Sequence, residues 1–219
     1  MLKDERRVRI GAFVFHFPYS FGLHAASTAV RTDDLRCRTA GFTLVELVVT
    51  IAVASVLLAT AIPAFSNLMA QNELAVASNA ARGALMVARE TAVMRGHPVS
   101  LCAGEPKGGC SGDWSDGQWL VFRDTDHSGD LDTGETVLQH GRVPGAGQAV
   151  SIGGNGPLRS ALVYMPLGHA ERISGAFGAG RLRLCVTRDI ALNARELVIS
   201  ASGRVRMQRV DFGGTCPPL

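Results

Sequence analysis

The sequence predicts an α+β protein in which one long N-terminal helix carries a domain of antiparallel β-strands. Two observations lead to this prediction. Apolar residues and strong helix formers continue for about fifty residues after Gly41, and short extended segments separated by Gly and Pro follow from Val99 onward. With 219 residues, the chain has room for one ordinary domain and an appendage.

The first part of the predicted helix is apolar on every side. The twenty residues FTLVELVVTIAVASVLLATA, at positions 42–61, contain one charged side chain, Glu46. A helix of this length crosses the roughly 30 Å hydrocarbon core of a bilayer. A secretory signal peptide is the alternative, but its apolar part is shorter and polar, non-helical chain follows it. We therefore predict a transmembrane helix over residues 42–62.

The second part of the helix, residues 63–97, is amphipathic. Helix formers and apolar residues at helical spacing continue beyond Pro63, so the predicted helix stays attached to the rest of the protein. Pro63 removes one backbone hydrogen bond and is expected to kink the helix. The run Gly96, His97 and Pro98 is expected to end it.

Glu46 requires an explanation, because an ionisable side chain at the centre of a bilayer costs about 3 kcal/mol or more. One explanation is a positive partner on a neighbouring helix, such as the α-amino group that cleavage of the Gly41–Phe42 bond would create. The other is that the carboxylate reaches the membrane interface near the end of the helix. The sequence leaves both explanations open.

These residues resemble the processing signal of type IV pilins and pseudopilins. The string GFTLVEL at positions 41–47 follows the basic Arg36 and Arg38. The resemblance implies that a prepilin peptidase cuts after Gly41 and methylates Phe42, and that Glu46 pairs with the terminal amine of an adjacent subunit during assembly. Residues 1–41 would then be a leader, longer than such signals need, and an overlong start codon assignment would explain its length.

The resemblance also implies a location and partners. The chain would be a single-pass protein of the bacterial inner membrane, with residues 98–219 forming a β-rich domain in the periplasm. Other pilins or pseudopilins would contact its helix in a fibre. Strand candidates in the domain are residues 99–103, 118–123, 136–143, 162–165, 181–186 and 197–210. The string GQWLVFRDTD, followed by Gly-Glu and an apolar strand, resembles minor pilins and pseudopilins of the FimT and GspH type.

The cysteines indicate a domain that is crosslinked in an oxidising compartment. Removal of Cys37 with the leader would leave four cysteines, which allow three pairings. We favour Cys102 with Cys110, which bracket a Gly-rich loop, and Cys185 with Cys216, which would hold the tail. No pair has the spacing of a zinc site.

An acidic segment matches a calcium-binding loop in its spacing. The sequence reads D-x-D-x-S-G-x5-E, and alternate oxygens with a final bidentate carboxylate are the ligands that calcium prefers. The candidate ligands are Asp124, Asp126, Ser128, Asp130, Asp132 and Glu135. Because strands and not helices flank the segment, a polar hairpin turn without any metal is the alternative.

Arginines dominate the C-terminal half. Residues 42–135 carry a net formal charge of −6, and residues 136–219 carry +6 with arginine as the only basic residue apart from histidine. Arg204 and Arg206 alternate on an extended segment, so their side chains are expected about 7 Å apart, close to the spacing of phosphates along DNA. A solvated edge strand protected by charge is the alternative.

The segment Gly203 to Arg206 resembles the GRxR element with which FimT-type minor pilins of naturally competent bacteria bind DNA. The resemblance implies a site for double-stranded DNA. Its candidate residues are Gly203, Arg204, Arg206 and Arg209, extended by Arg181 and Arg183.

No catalytic arrangement of Ser, His and Asp and no phosphate-binding loop is present in the sequence, which predicts a protein that is not an enzyme and has no required cofactor. Three functions remain. The first is a minor pilin of a type IV pilus, in the tip or assembly-priming complex, that binds DNA during natural transformation. The second is the H-type minor pseudopilin of a type II secretion system. The third is a membrane-anchored protein that binds calcium or a protein ligand without polymerising.

Overall fold

The computed structural model describes residues 41–219. The predicted leader before Gly41, including Cys37, therefore lies outside the described residues. The packing reported below is that of Leu47–Leu219. This part of the chain combines one long helix with two antiparallel sheets, as the α+β prediction expects.

Helix α1 spans Leu44–Arg95 and continues through Pro63. At its N-terminus, Thr43 Oγ1 accepts a hydrogen bond from the Glu46 amide at 3.2 Å, which satisfies one free N–H group of the first turn. At its C-terminus, Gly96 has a φ of 67° and its amide donates to the Ala92 carbonyl. The predicted end of the helix is thus confirmed.

The helix has an exposed part followed by a buried face. The side chains of residues 44–65 are all exposed, and α1 is long and apolar enough to cross a membrane by length and composition. From Ala70 onward, one face of α1 is buried against the sheets. The buried residues recur at helical spacing: Ala70, Leu74, Ala77, Ser78, Ala81, Ala84, Leu85, Ala88 and Ala92. Since most of them are alanines, the strands approach the helix backbone closely.

Two sheets share the core with this helix face. In the first sheet the strand order is β4-β3-β1-β6-β7, with β2 paired to β1, and in the second it is β10-β9-β8-β5. The strands are β1 Val99–Glu105, β2 Gly109–Cys110, β3 Gln118–Arg123, β4 Val137–Arg142, β5 Ser151–Gly154, β6 Ala161–Tyr164, β7 Ala170–Glu171, β8 Gly180–Cys185, β9 Ala194–Ile199 and β10 Val205–Val210. A short 3₁₀ helix, Gly156–Arg159, connects β5 to β6.

The two faces of the first sheet pack against different groups. Leu101, Val121 and Leu162 belong to the main core, together with the buried face of α1 and residues of the second sheet such as Leu197. The opposite face carries a smaller cluster of Cys102, Leu120, Phe122 and Ala161, against which Leu131 packs. The acidic segment between β3 and β4 therefore rests on its own small apolar cluster.

One strand prediction was wrong. The candidate strand 197–210 is two strands, β9 and β10, which pair with each other in an antiparallel hairpin. The chain reverses at residues 200–204, where the Gly203 amide donates to the Ser200 carbonyl and Gly203 has a φ of 75°. A glycine is needed there because a Cβ atom would lie 2.1 Å from the Gly168 carbonyl oxygen. The strands β2, β5 and β7 were not predicted.

Candidate functional sites

The predicted processing and assembly residues lie at the start of α1. Gly41 and Phe42 precede the helix, and the Phe42 side chain is exposed. Glu46 is an exposed acid in the first turn, where a negative charge interacts favourably with the helix dipole. This position gives the carboxylate a local role at the helix start. The role of Glu46 in assembly and the roles of Gly41 and Phe42 in processing stay predictions.

The second sheet brings five polar residues together on the face opposite to the core, which we call the outer face. In the strand register, Arg183 pairs with Glu196 and Glu196 with Gln208, while Arg181 and Arg206 flank Val198 in the next row. Alternation along each strand puts these side chains on the same side of the sheet. Leu197 and Ile199 point to the other side and are buried in the core.

Glu196 is the centre of a charged network on the outer face, although it is only 2 % exposed. Its Oε1 accepts hydrogen bonds from Arg183 Nε at 2.9 Å and Nη2 at 2.7 Å, and its Oε2 accepts one from Gln208 Nε2 at 2.9 Å. Burial alone would raise the pKa of Glu196. The bonds from Arg183 and Gln208 and the charges of Arg183 and Arg181 outweigh burial and lower the pKa.

Arg183, a further candidate for the DNA site, is held by contacts within the protein. Besides its bonds to Glu196, its Nη1 donates to the Pro217 carbonyl at 2.8 Å, and its guanidinium lies 4.4 Å from the centre of the Phe212 ring. Its side chain is 12 % exposed. Through these contacts Arg183 joins the tail to the sheet and is less accessible than Arg181.

Arg181, Arg204 and Arg206 remain accessible on the outer face. The side chain of Arg181 is 51 % exposed and lies 3.5 Å from Glu196, a distance typical of a weak surface ion pair. Arg204 and Arg206 are exposed, and neither forms a salt bridge with another residue of the described chain. Arg204 precedes Arg206 by two residues and shares its face by alternation.

Gly203, a candidate residue of the DNA site, is buried in the turn between β9 and β10. The turn that it forms is fixed by Arg89 of α1. Arg89 Nε donates to the Gly168 carbonyl at 2.9 Å, and its Nη2 lies 3.4 Å from the Ser202 carbonyl. The glycine of the GRxR segment thus sets the position of the arginines that follow it.

Arg209 lies on the opposite face of β10 from Arg206, which corrects its grouping with the other arginines. In the register it pairs with Arg195, whose Nη1 donates to Ser78 Oγ of α1 at 3.2 Å. Partial burial, and secondly the charge of Arg209, lower the pKa of Arg195. Arg209 therefore faces the helix side of the sheet.

The acidic segment forms a loop between β3 and β4. One carboxylate oxygen from each of Asp124, Asp126 and Glu135 lies within 4.8 Å of the others. Asp124 is fully buried. Its Oδ2 accepts bonds from Ser100 Oγ at 2.6 Å and the Gly129 amide at 3.0 Å, while its Oδ1 has no hydrogen-bond partner among the described residues.

Asp130 and Asp132, two other predicted metal ligands, do not belong to this group of carboxylates. Ser128 Oγ donates to Asp132 Oδ2 at 3.0 Å and accepts from the Asp130 amide at 3.2 Å. The bond from the Ser128 amide is the largest influence on Asp126 and lowers the pKa of its carboxyl. The structure therefore brings together three of the six predicted ligands.

Both favoured disulfides, Cys102–Cys110 and Cys185–Cys216, are present in the structure. The second holds the C-terminal tail beside β8, where Asn193 Nδ2 also donates to the Thr215 carbonyl at 2.9 Å. The prediction that this disulfide ties down the tail is confirmed.

Sequence reasoning missed Ser100, Glu196 and Arg89. Ser100 is a polar residue within a buried strand, and Glu196 is the acid in the short run RELVI, so each interrupts an apolar segment. Such an interruption indicates a buried polar partner. Arg89 gives no comparable signal, because an arginine in an amphipathic helix is ordinary.

Comparison with known proteins agrees with this architecture. The family described as "Type II transport protein GspH" matches residues 77–203, and the "Prokaryotic N-terminal methylation motif" matches residues 36–62. No curated protein sequence matches the chain.

Two solved structures are similar to the chain in fold. A crystal structure of the type IV minor pilin FimU of Pseudomonas aeruginosa has 17 % identity and a TM-score of 0.46, covering 63 % of this chain and 90 % of FimU. The minor pseudopilin EpsH of the Vibrio cholerae type 2 secretion system has 11 % identity and a TM-score of 0.44, covering 63 % and 97 %. Because the GspH match spans more than half of the sequence, the chain belongs to the GspH family.

Proposed function

We propose that the protein is a minor pilin in the tip or assembly-priming complex of a type IV pilus, and that it binds double-stranded DNA during natural transformation. In this proposal, a prepilin peptidase cuts after Gly41 and methylates Phe42. The apolar part of α1 then holds the protein in the inner membrane, with the β-rich domain in the periplasm, until the subunit enters the fibre.

The exposed first part of α1 supports the assembly step. The side chains of residues 44–65 are exposed in the described chain although most are apolar, so they need partners outside the chain. Lipid serves as the partner before assembly, and other pilin helices serve within the fibre. Glu46 would pair with the terminal amine of the adjacent subunit, which neutralises both charges in an apolar environment.

Replacement of Glu46 tests this step. We expect Glu46→Gln to leave the amount of protein in the membrane unchanged and to lower its amount in sheared fibres at least tenfold, because the amine loses its charged partner. Immunoblots of the membrane and fibre fractions measure both quantities. Glu73→Gln is the matched control, since Glu73 is an exposed acid of the same helix. Equal incorporation of both variants would contradict the assembly role.

The outer face of the second sheet supports DNA binding. Arg181, Arg204 and Arg206 are exposed on one side of the sheet, and the buried Glu196 is already neutralised mainly by Arg183. The accessible charge of this surface is therefore positive. Arginine binds phosphate oxygens with two parallel hydrogen bonds, and a row of arginines along a strand can follow one DNA strand. This exposed group of arginines is the observation that carries the DNA part of the proposal.

The double variant Arg204→Ala/Arg206→Ala tests DNA binding. We expect its affinity for duplex DNA to fall about tenfold, and the slope of log K against log salt concentration to decrease by about 2, since two phosphate contacts are lost. Mobility shifts with the mature chain in detergent at several salt concentrations measure both effects.

The matched control is Arg82→Ala/Arg123→Ala, which removes two exposed arginines elsewhere and changes the net charge equally. We expect this control to bind DNA nearly as well as the wild type. If both double variants lose the same affinity, binding depends on net charge alone and the outer face is not a DNA site.

The alternative function is that of an H-type pseudopilin of a type II secretion system. The match of residues 77–203 to the family described as a type II transport protein favours it. Deletion of the gene separates the two functions. Loss of pili and of transformation supports the minor pilin, whereas loss of secreted enzymes with intact pili supports the pseudopilin.

A further inference from the structure

We infer that the loop of residues 124–135 binds one calcium ion, with the carboxylates of Asp124, Asp126 and Glu135 as its protein ligands. This site is separate from the outer face of the second sheet and does not depend on the proposed function. The inference rests on the convergence of the three carboxylates and on a buried oxygen that lacks a partner.

The distances within the loop suit one ion. Calcium binds oxygen at 2.3 to 2.6 Å, so two oxygens on opposite sides of one ion are at most about 5 Å apart. One oxygen from each of Asp124, Asp126 and Glu135 lies within 4.8 Å of the other two. A single calcium ion can therefore contact all three carboxylates without a large movement of the loop.

Asp124 supplies the second, independent observation. Its side chain is completely buried, and two donors, Ser100 Oγ and the Gly129 amide, already occupy its Oδ2. Its Oδ1 is buried and accepts no hydrogen bond from the described residues. A buried carboxylate oxygen without a donor is costly, and a cation bound at this oxygen would remove the cost. No arginine or lysine forms a salt bridge with Asp124 in the described chain.

The ligand chemistry favours calcium over other metals. All three ligand atoms are carboxylate oxygens, which hard cations prefer, and zinc or copper would prefer nitrogen or sulfur. The nearest histidine of the loop, His127, has its Nε2 3.7 Å from Glu171 Oε2, outside the carboxylate group. The exposed loop also allows water to complete the six to eight ligands of calcium.

Binding would fix the loop against the first sheet. Leu131 packs on the small cluster of Leu120 and Phe122. Ile173 and Ala161 fill the space beside Gly129, and a Cβ atom added at Gly129 would lie 2.3 Å from Ile173 Cγ2. Glu135 Oε1 already accepts the Thr125 amide at 2.7 Å, so the ends of the loop are held together. A loop that is already closed loses little entropy when the ion binds.

Calorimetry and thermal melting of the mature chain in detergent test the inference. After treatment with a chelator, titration with calcium chloride is expected to show one site with a Kd of about 10⁻⁵ to 10⁻³ M. At calcium concentrations near 100 times Kd, the melting temperature is expected to rise by about 5 °C or more. The same concentration of magnesium is expected to raise it much less.

Two loop variants decide whether the effect is specific. Asp126→Asn removes an exposed ligand, and we expect it to fold normally and to lose most of the calcium-dependent shift. Asp130→Asn is the matched control, because it removes the same charge from an exposed acid of the same loop that lies outside the convergent group. It is expected to keep the shift. A wild-type protein without heat of binding and without a shift, or equal shifts in wild type and Asp126→Asn, would overturn the inference.

Discussion

Asp124 and Glu196 are both buried carboxylates, yet their surroundings differ. Glu196 lies on the second sheet among Arg183, Arg181 and Gln208, and both of its oxygens accept hydrogen bonds. Asp124 follows the first sheet, where neutral donors serve one oxygen and the other oxygen has no donor among the described residues. Among the residues that the structure describes, arginines neutralise Glu196, and no arginine or lysine forms a salt bridge with Asp124.

The difference follows from which cations the chain places nearby. The C-terminal half supplies arginines on the strand beside Glu196, so its negative charge becomes part of the structure that holds the tail. Around Asp124 the acids Asp126 and Glu135 lie close by, and no arginine or lysine of the described chain forms a salt bridge with it. Since like charges in one place are unfavourable, our inference gives this loop a cation from solution as the partner that the described residues do not supply. The comparison separates an acid whose charge is balanced by arginines of the chain from the acid for which we infer a calcium ion.

Removal of Arg183 tests whether Glu196 depends on a partner within the chain. It has the largest expected effect on the free energy of unfolding. Arg183→Ala leaves Glu196 buried without its main partner, and loss of one member of a buried ion pair costs about 3 to 5 kcal/mol. Chemical denaturation followed by tryptophan fluorescence measures the free energy of unfolding.

Arg181→Ala is the matched control. Arg181 is 51 % exposed and 3.5 Å from the same carboxylate, so we expect its removal to cost about 1 kcal/mol or less. If the two variants are equally stable, Arg183 is not the main partner that neutralises Glu196. The contrast between Glu196 and Asp124 is then wrong.

The helix was predictable from the sequence because its signals are local. The length of the apolar run, the continuation beyond Pro63 and the terminal Gly96 are each visible within a few residues of the feature they predict. The division of residues 197–210 was missed because β9 and β10 both have strand-like composition. The turn between them depends on the close contact of Gly203 with Gly168, which is distant in sequence.

The sites were predictable only in part, because strand register decides which side chains meet. The alternation of Arg181 with Arg183 suggests two equivalent arginines. The pairing of β8 with β9 then places Arg183 directly opposite Glu196 and leaves Arg181 more exposed. In the acidic loop, the spacing predicts six ligands. Only the folded chain distinguishes the three carboxylates that converge from Ser128 and Asp132, which bond to each other.

Neutralising each buried carboxylate in turn sharpens the comparison between Asp124 and Glu196. The expected changes in the free energy of unfolding are smaller than that of Arg183→Ala and have opposite signs at the two positions. In the presence of a chelator, we expect Glu196→Gln to lower the free energy of unfolding by about 2 kcal/mol, because bonds to charged partners are weakened. We expect Asp124→Asn to raise it by about 1 kcal/mol, since the amide oxygen still accepts from Ser100 and Gly129 while an uncompensated buried charge disappears.

In chelator, Asp124→Asn is expected to be more stable than the wild type. We expect saturating calcium to reverse that order. With saturating calcium, the wild type and Glu196→Gln should both become more stable, and Asp124→Asn should not, because it has lost a ligand of the ion. Denaturation curves of the three proteins with chelator and with calcium measure these differences. If Asp124→Asn is as destabilising in chelator as Glu196→Gln, then the charge of Asp124 is already compensated within the protein. In that case the loop has no need of a cation, and the contrast between the two acids fails.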